Sequence, residues 1–516
     1  MKSRAKKYRI LFNHDGFCVF SNASRYQDIN KPVGLAQVNG YVDEVAEAGC
    51  DLFLLSPSMD QLPGWDSDHY PYWRNRGKTG VYPSNTMFGK TFSRFRDFIL
   101  GGNDLIELSL KRAREKSIDF FLSWRMNECH GLDDPSCPGL SDFYLSHPEY
   151  RIGDGNYYCQ KLALSFAHPE VRDYQFGFIR ELCGRYDIDG LELDFLRWPY
   201  YFPYSMNLAE KTAIMTDYVV RVRSLLNSKG RRLPLCVRIF GRNNLNLIAG
   251  LDVVEWVKRG LIDMINASPF YISSSEMDIE WYRKAFPDLP LYAELTQSSD
   301  IERHLELGCE LSRKMTTELI RSAAYSYLDR GADGISLFNF VYYREYTFGN
   351  PSKLDKCEPN FAALRDLTDK KKLAKEPKHY FVGRCDYVGR TLPAQLVQLK
   401  LGGPLDIRIH IADDLASQTV REQFKSAILR VQASVPWERR WVTACANDKA
   451  VLSEMTHESE LFPQPYREGI PETSAVCRDF AVPVESLHKG WNSFSLIMIN
   501  GEPIEVKRAE LALYPA

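Results

Sequence analysis

The chain has 516 residues, with 65 lysines and arginines against 67 aspartates and glutamates and a formal net charge of −2. That balance lacks the basic excess of a nucleic-acid binder, and no apolar run reaches the ~18 residues of a membrane helix, so neither nucleic acid nor membrane is an expected partner. At roughly 100–200 residues per domain, the length allows about two to four domains, or one large barrel plus an accessory domain.

The basic amino terminus runs into Ile10-Leu11-Phe12, which Asn13, His14 and Asp15 interrupt at once. This is too short for a signal peptide and reads as a first strand, residues 8–12. Helical periodicity over 33–48 puts Val42, Val45 and Ala46 on one face, and 51–56 is a strand apolar on both faces. The alternation continues. Helix 105–116 leads to strand 119–124, helix 168–186 to 190–196, helix 208–228 to 233–240, and helix 253–260 to 263–267. A strand at 290–295 follows; then helix 317–330 leads to 334–340, and a helix at 361–367 closes the series.

Eight strands separated by helix-bearing segments predict an α/β fold, a (β/α)8 TIM barrel over residues 1–368. A doubly wound sheet would carry a glycine-rich phosphate loop after its first strand, and the sequence there is Asn13-His14-Asp15-Gly16-Phe17-Cys18. Residues 369–378 are charged and read as a linker, and 379–516 as an all-β sandwich of jelly-roll type. Asn500-Gly501, between strands expected at 493–499 and 504–513, signals a hairpin. Twelve scattered cysteines without a C-x-x-C pair suggest reduced thiols and a cytoplasmic protein, the alternative being a periplasmic or secreted one whose signal is missing. The sandwich is expected to bind glycan or to pack on the barrel and support a homo-oligomer.

Barrel chemistry sits at the carboxyl ends of the strands. The densest segment is Y-D-I-D-G-L-E-L-D-F-L-R-W-P, residues 186–199. Strand alternation points Glu192 and Asp194 to one face and Leu191, Leu193 and Phe195 to the other. Two carboxylates side by side need a cation or a proton, and Arg197 lies just beyond. Asp189 reads as a buttress of the turn.

This segment resembles the strand-four motif D-G-[IV]-[HE]-[LF]-D-[YF]-[LIV]-R-[YW]-P of bacterial glycosyl-hydrolase-like barrels. The resemblance implies a glycoside hydrolase acting on an oligo- or polysaccharide, with Asp194 as nucleophile or water-positioning base. It is also similar to the D-G-x-D-x-D-x-E of chitinase-type enzymes, but Leu196 stands at the catalytic glutamate and argues against that mechanism. Since barrel glycosidases draw their acids from strands four and seven, the resemblance makes Glu294 the general acid/base, with Glu192 tuning both. The competing reading of Glu294 is that it only holds an arginine across the mouth.

Other strand ends offer groups for a hydroxyl-rich ligand: Asn13 and Asp15 after strand one, Arg125 and Asn127 after strand three, Arg197 and Trp198 after strand four, Arg238 after strand five and Asn339 after strand eight. Glu128 is the reserve acid, and His130 is a proton donor or a plain loop histidine. Aromatic loops at 64–76 and 198–204 read as sugar platforms or a packed lid, and Arg74, Arg76 and Arg197 point to an acidic or sulfated sugar. With no H-E-x-x-H or G-x-S-x-G pattern, neither metal nor cofactor is expected. The alternatives are a non-catalytic carbohydrate-binding barrel, or a metal-dependent barrel hydrolase or lyase built on Asp15, Glu192, Asp194 and a histidine.

Overall fold

Short apolar strands joined by helices close into a parallel barrel. The structure, a computed structural model, describes residues 5–21, 25, 30–75, 87–137, 139–155, 158–228, 230, 232–304, 309–342, 344, 358–383, 396–456, 460–462 and 476–516. In chain order the strands are β1 (Ile10–Asp15), β2 (Leu52–Ser56), a small hairpin of β3 (Ser58–Met59) and β4 (Leu62–Pro63), β5 (Asp119–Arg125), β6 (Gly190–Asp194), β7 (Leu235–Phe240), β8 (Met264–Ser268), β9 (Leu291–Thr296), a second hairpin of β10 (Ser298–His304) and β11 (Cys309–Lys314), and β12 (Gly334–Phe338). The barrel closes in the order β1-β12-β9-β8-β7-β6-β5-β2. This is the (β/α)8 architecture expected from the alternation.

Local signals set the helix starts. Asp104 caps the helix Leu105–Glu115 through the Ile106 and Glu107 amides, Asn207 caps Leu208–Asn227 through Glu210, and Pro169 opens Pro169–Arg185. The lower barrel interior is filled by Leu11, Leu52, Leu54, Phe121, Cys236, Met264 and Tyr292. A Cβ on Gly190 would stand 2.3 Å from the Phe121 ring, so the glycine before the acidic strand makes room for that ring. Among the described residues no helix is long and apolar enough to cross a membrane, and Cys50, Cys129 and Cys236 are buried.

Packing divides the chain into two units: residues 1–270, 278–294 and 333–359, and residues 271–277, 295–332 and 360–516. The boundary expected near 368 therefore differs from the observed one, because the β10–β11 hairpin and the helix Thr317–Asp329 group with the carboxyl-terminal domain. Their side chains show why: Arg313 pairs with Glu510 at 3.3 Å, Ser322 Oγ accepts from the His379 amide at 2.8 Å, and Arg321 grips Glu376. Residues 369–378, expected as a linker, hold a short helix at Lys370–Leu373 capped by Asp369, and Lys378 is the buried first residue of the next strand.

The second unit contains β13 (Lys378–Gly383), β14 (Gln398–Leu399), β15 (Pro404–Ile411), β16 (Phe424–Ala433), β17 (Trp441–Ala446), β18 (Ala450–Met455), β19 (Cys477–Val482), β20 (Gly490–Asn500) and β21 (Ile504–Pro515). These antiparallel strands run β13-β21-β16-β19-β18-β17-β20-β15, with β14 on β21. One core, including Leu429, Val431 and Phe480 from one side and Ile407, Phe494 and Leu496 from the other, makes it a sandwich. Asn500-Gly501 is not a hairpin turn. β20 pairs with β15 and β17, while β21 pairs with β13, β14 and β16, so the chain crosses between layers there. Gly501, at φ 120, passes so close to Arg439 that a Cβ would meet its carbonyl at 2.9 Å.

Candidate active site

Above the apolar floor the barrel interior turns polar. Asn13 Nδ2 donates to Glu192 Oε1 at 2.5 Å and Ser123 Oγ donates to the same oxygen at 2.7 Å. Asn266 Nδ2 reaches Glu192 Oε2 at 3.4 Å. Glu192 is thus an enclosed barrel acid, and burial, followed by the nearby Asp194 charge, pushes its carboxyl up to about 7. Asn13, expected at the mouth, is spent on this layer.

One turn higher, Arg238 ties two acids together. Its Nη1 donates to Asp194 Oδ1 at 2.9 Å, while Nε and Nη2 donate to Glu294 Oε2 and Oε1 at 2.6 and 2.8 Å. The guanidinium lies 3.8 Å from the Phe338 ring and is fully buried. Glu294 also accepts from Ser268 Oγ at 2.5 Å and from Asn266 at 3.3 Å. Burial raises the Glu294 carboxyl, and Arg238 and Ser268 pull it back. Both its oxygens are occupied. Asp194 differs: its hydrogen bonds among the described residues, from Arg238 and from the Leu196 amide at 2.9 Å, both fall on Oδ1.

A second cluster lies on the rim. Asp15 Oδ2 accepts from Arg125 Nη2 at 2.6 Å and from the Tyr342 hydroxyl, and Arg125 Nη1 reaches Glu128 Oε2 at 3.4 Å. Glu128 Oε1 accepts from the Cys129 and His130 amides at 3.0 and 3.1 Å and from Trp198 Nε1 at 2.8 Å. Burial alone would raise its carboxyl, but His130, Arg125 and Arg197 outweigh burial and hold it well below the usual carboxylate range. A carboxylate so held is a poor acid, which removes Glu128 from the reserve role expected for it. His130 Nδ1 stands 2.5 Å from Glu128 Oε1 and 3.5 Å from Asp60 Oδ1, and Arg197 Nη2 donates to His130 Nε2 at 2.7 Å.

Asp60 comes from the turn between β3 and β4, in the left-handed region at φ 48, which Asp tolerates better than most residues. It lines a small recess with Gln61, Arg125, Glu128 and Tyr174. Burial, opposed by His130 and assisted by Glu128, pushes its carboxyl up to about 6, and Oδ2 is buried without a hydrogen-bond partner among the described residues. Asn339 is similar: it follows β12 at φ 47, is 1% exposed, and neither amide atom has a partner there. Strained, unsatisfied polar side chains at a strand end are where ligand contacts concentrate.

Several expected site residues do other work. Asn127 Nδ2 donates to the Leu164 and Tyr200 carbonyls at 2.9 and 2.6 Å, tying loops together instead of facing the mouth. The aromatic loops are packed: Trp65, Trp73, Trp198 and Tyr201 are all buried, while Tyr204 is exposed. Arg74 pairs with Asp66 and Asp68, and Arg76 lies outside the described residues. Asp189 accepts from Arg114 and from the Phe120 amide, a buttress as expected. Asp60, Ser268 and Tyr342 were missed. Ser268 ends strand six and was readable from position; Asp60 and Tyr342 lie in short polar turns with no spacing signal.

Ligand atoms of Asp60, Glu128 and His130 lie within 4.8 Å of one another. The nitrogen chemistry does not fit a cation. A guanidinium can only donate, so Arg197 at 2.7 Å requires a lone pair on His130 Nε2. A neutral ring then carries its proton on Nδ1, the atom that faces the two carboxylates and that a metal would need bare. Arg125 already lies against Glu128 as a cation.

No family model matches the sequence, and no curated protein does. Among solved structures, the chain is similar to the glycoside hydrolase domain of PgaB (BpsB) from Bordetella bronchiseptica, at 12% identity and TM-score 0.41 over 70% of this chain and 99% of that one. It is similar to α-L-fucosidase isoenzyme 1 from Paenibacillus thiaminolyticus, at 15% identity and TM-score 0.36 over 95% and 97% of the two chains. It is also similar to the α-amylase from Geobacillus thermoleovorans, at 14% identity and TM-score 0.36 over 96% and 99%.

Proposed function

We propose that the barrel is a glycoside hydrolase in which Asp194 is the attacking or water-positioning carboxylate. The observation that carries this reading is the asymmetry of Asp194: Oδ1 is fixed by Arg238 and the Leu196 amide, and Oδ2 is left for substrate or water. Arg238 stands against Asp194 as its counter-charge at 2.9 Å, and Glu294 works through Arg238 as a positioning group. The proton for the leaving oxygen comes from Asp60, whose Oδ2 has no partner among the described residues and whose carboxyl is half-protonated near pH 6. In the first step the glycosidic C–O bond breaks with its electron pair going to the leaving oxygen, which takes the Asp60 proton, while the anomeric carbon bonds either to Asp194 Oδ2, for a later water to release, or to a water whose proton passes to Asp194. Asn339, Arg125 and Arg197 contact sugar hydroxyls. Retention calls for carboxyls about 5–5.5 Å apart, and inversion for about 6.5–9.5 Å.

The full engagement of Glu294 favours one other reading, a carbohydrate-binding barrel without turnover. A panel of aryl glycosides and oligosaccharides separates the two. Turnover that falls by about 10²–10⁴-fold in both Asp194→Asn and Asp60→Asn supports the hydrolase. Binding without turnover in the wild type supports the alternative.

A further inference from the structure

We propose that His130 is a positioning residue that holds Arg197 at the barrel rim only while its imidazole is neutral. The contact is 2.7 Å from Arg197 Nη2 to His130 Nε2. Arginine has five donors and no acceptor, so this bond exists only if Nε2 carries a lone pair. Charging the ring sets an N–H against an N–H and a cation against a cation, and the contact is lost. Arg197 then loses this anchor.

The surrounding groups decide where the ring charges. Glu128, in the same loop, and Asp60, in the β3–β4 turn, face Nδ1 and favour the charged ring. Arg197, from the loop after β6, faces Nε2 and opposes it. Arg125 on β5 and Asp15 on β1 stand behind the two carboxylates as a pair of opposite charge. Burial pushes the Asp60 carboxyl up to about 6, so its support for the charged ring weakens as the solution acidifies. Trp198 touches His130, Arg197 and Glu128: the His130 ring meets it edge-on at 5.2 Å, the Arg197 guanidinium lies 5.3 Å from its centre, and its indole N–H is on Glu128.

That Arg197 touches substrate rests on the function proposed above, whereas its coupling to His130 does not. The test is therefore a ¹⁵N–¹H NMR titration of the imidazole nitrogens in the full chain, assigned by loss of the signal in His130→Gln. The ring should show a bare Nε2 and a protonated Nδ1 at high pH. Arg197→Met should raise the His130 midpoint by about one pH unit, Arg197→Lys should raise it less, and Asp60→Asn should lower it. A ring protonated at Nε2 at high pH, or a midpoint unmoved by Arg197→Met, overturns the proposal. Where a glycoside is turned over, KM should rise below the midpoint, and this rise in KM should vanish in Arg197→Met. A moving midpoint with a flat KM keeps the coupling and removes Arg197 from the substrate site.

Discussion

Asp194 and Glu294 are joined through the two edges of one buried guanidinium, Asp194 by a single hydrogen bond and Glu294 by two. The geometry makes Glu294 the anchor of Arg238 and Arg238 the anchor of Asp194. Glu294→Gln leaves a buried arginine short of its counter-charge and should destabilise the fold by about 3–5 kcal/mol. Asp194→Asn should cost less stability and more turnover. Thermal unfolding beside kcat for the two variants decides: an unchanged Tm with abolished turnover in Glu294→Gln returns the acid role to Glu294.

Glu192 makes stability depend on pH. Its carboxyl is raised from 4.5 to about 7 in the folded chain, so between these values the folded state binds more protons than the unfolded one. Stability should fall as pH rises through that window and level off above it, by up to about 3 kcal/mol. Glu192→Gln should show a shallower slope, keeping only the share of Asp60 and Glu294, whose carboxyls are also raised. Urea unfolding at pH 5 and pH 8 checks it, and parallel losses in both proteins would contradict the assignment.

Asn339 separates strain from binding. Its φ of 47 suits glycine, so Asn339→Gly should keep the unfolding temperature while removing one or two hydrogen bonds to ligand, raising KM about 2–10-fold. Asn339→Ala should raise KM similarly and also destabilise by about 1–2 kcal/mol through the left-handed backbone. Equal Tm for the two variants would remove the strain argument.

Chelation should leave turnover unchanged, because Arg197 on His130 Nε2 disposes the ring against metal ligation. Activity lost on dialysis against a chelator and restored by a divalent cation would show that the Asp60, Glu128 and His130 group binds metal after Arg197 moves aside.

Gly190→Ala should destabilise the barrel by about 1–3 kcal/mol, since the new methyl meets the Phe121 ring at 2.3 Å. Adding Phe121→Leu should recover part of the loss, measured by denaturant unfolding. Independent, additive losses would mean the ring is not the obstacle.

Period-two alternation was enough to bring Glu192 and Asp194 to one face, and the βα alternation was enough for a closed barrel, because both depend on neighbours a few residues apart. The same local reasoning misled at Asn500-Gly501, where a turn sequence suited to a hairpin joins strands in different layers. It misled at Asn127 too, whose amide is consumed by two carbonyls contributed by distant loops. Asp60 carried no signal, since its importance comes from His130 and Glu128, some seventy residues away.

By itself, the sequence determined the strands, their barrel, the inward pair on β6 and a second, β-rich domain, all of which follow from periodicity and turn chemistry along the chain. Only the tertiary structure decided what each acid does. Glu192 is sealed among amides, Glu294 is spent on Arg238, Glu128 is surrounded by donors, and Asp194 and Asp60 each keep one oxygen without a protein partner among the described residues. A carboxyl's protonation and reach depend on burial and on the charges opposite it, and those come from strands that are remote in sequence and adjacent only once the barrel closes.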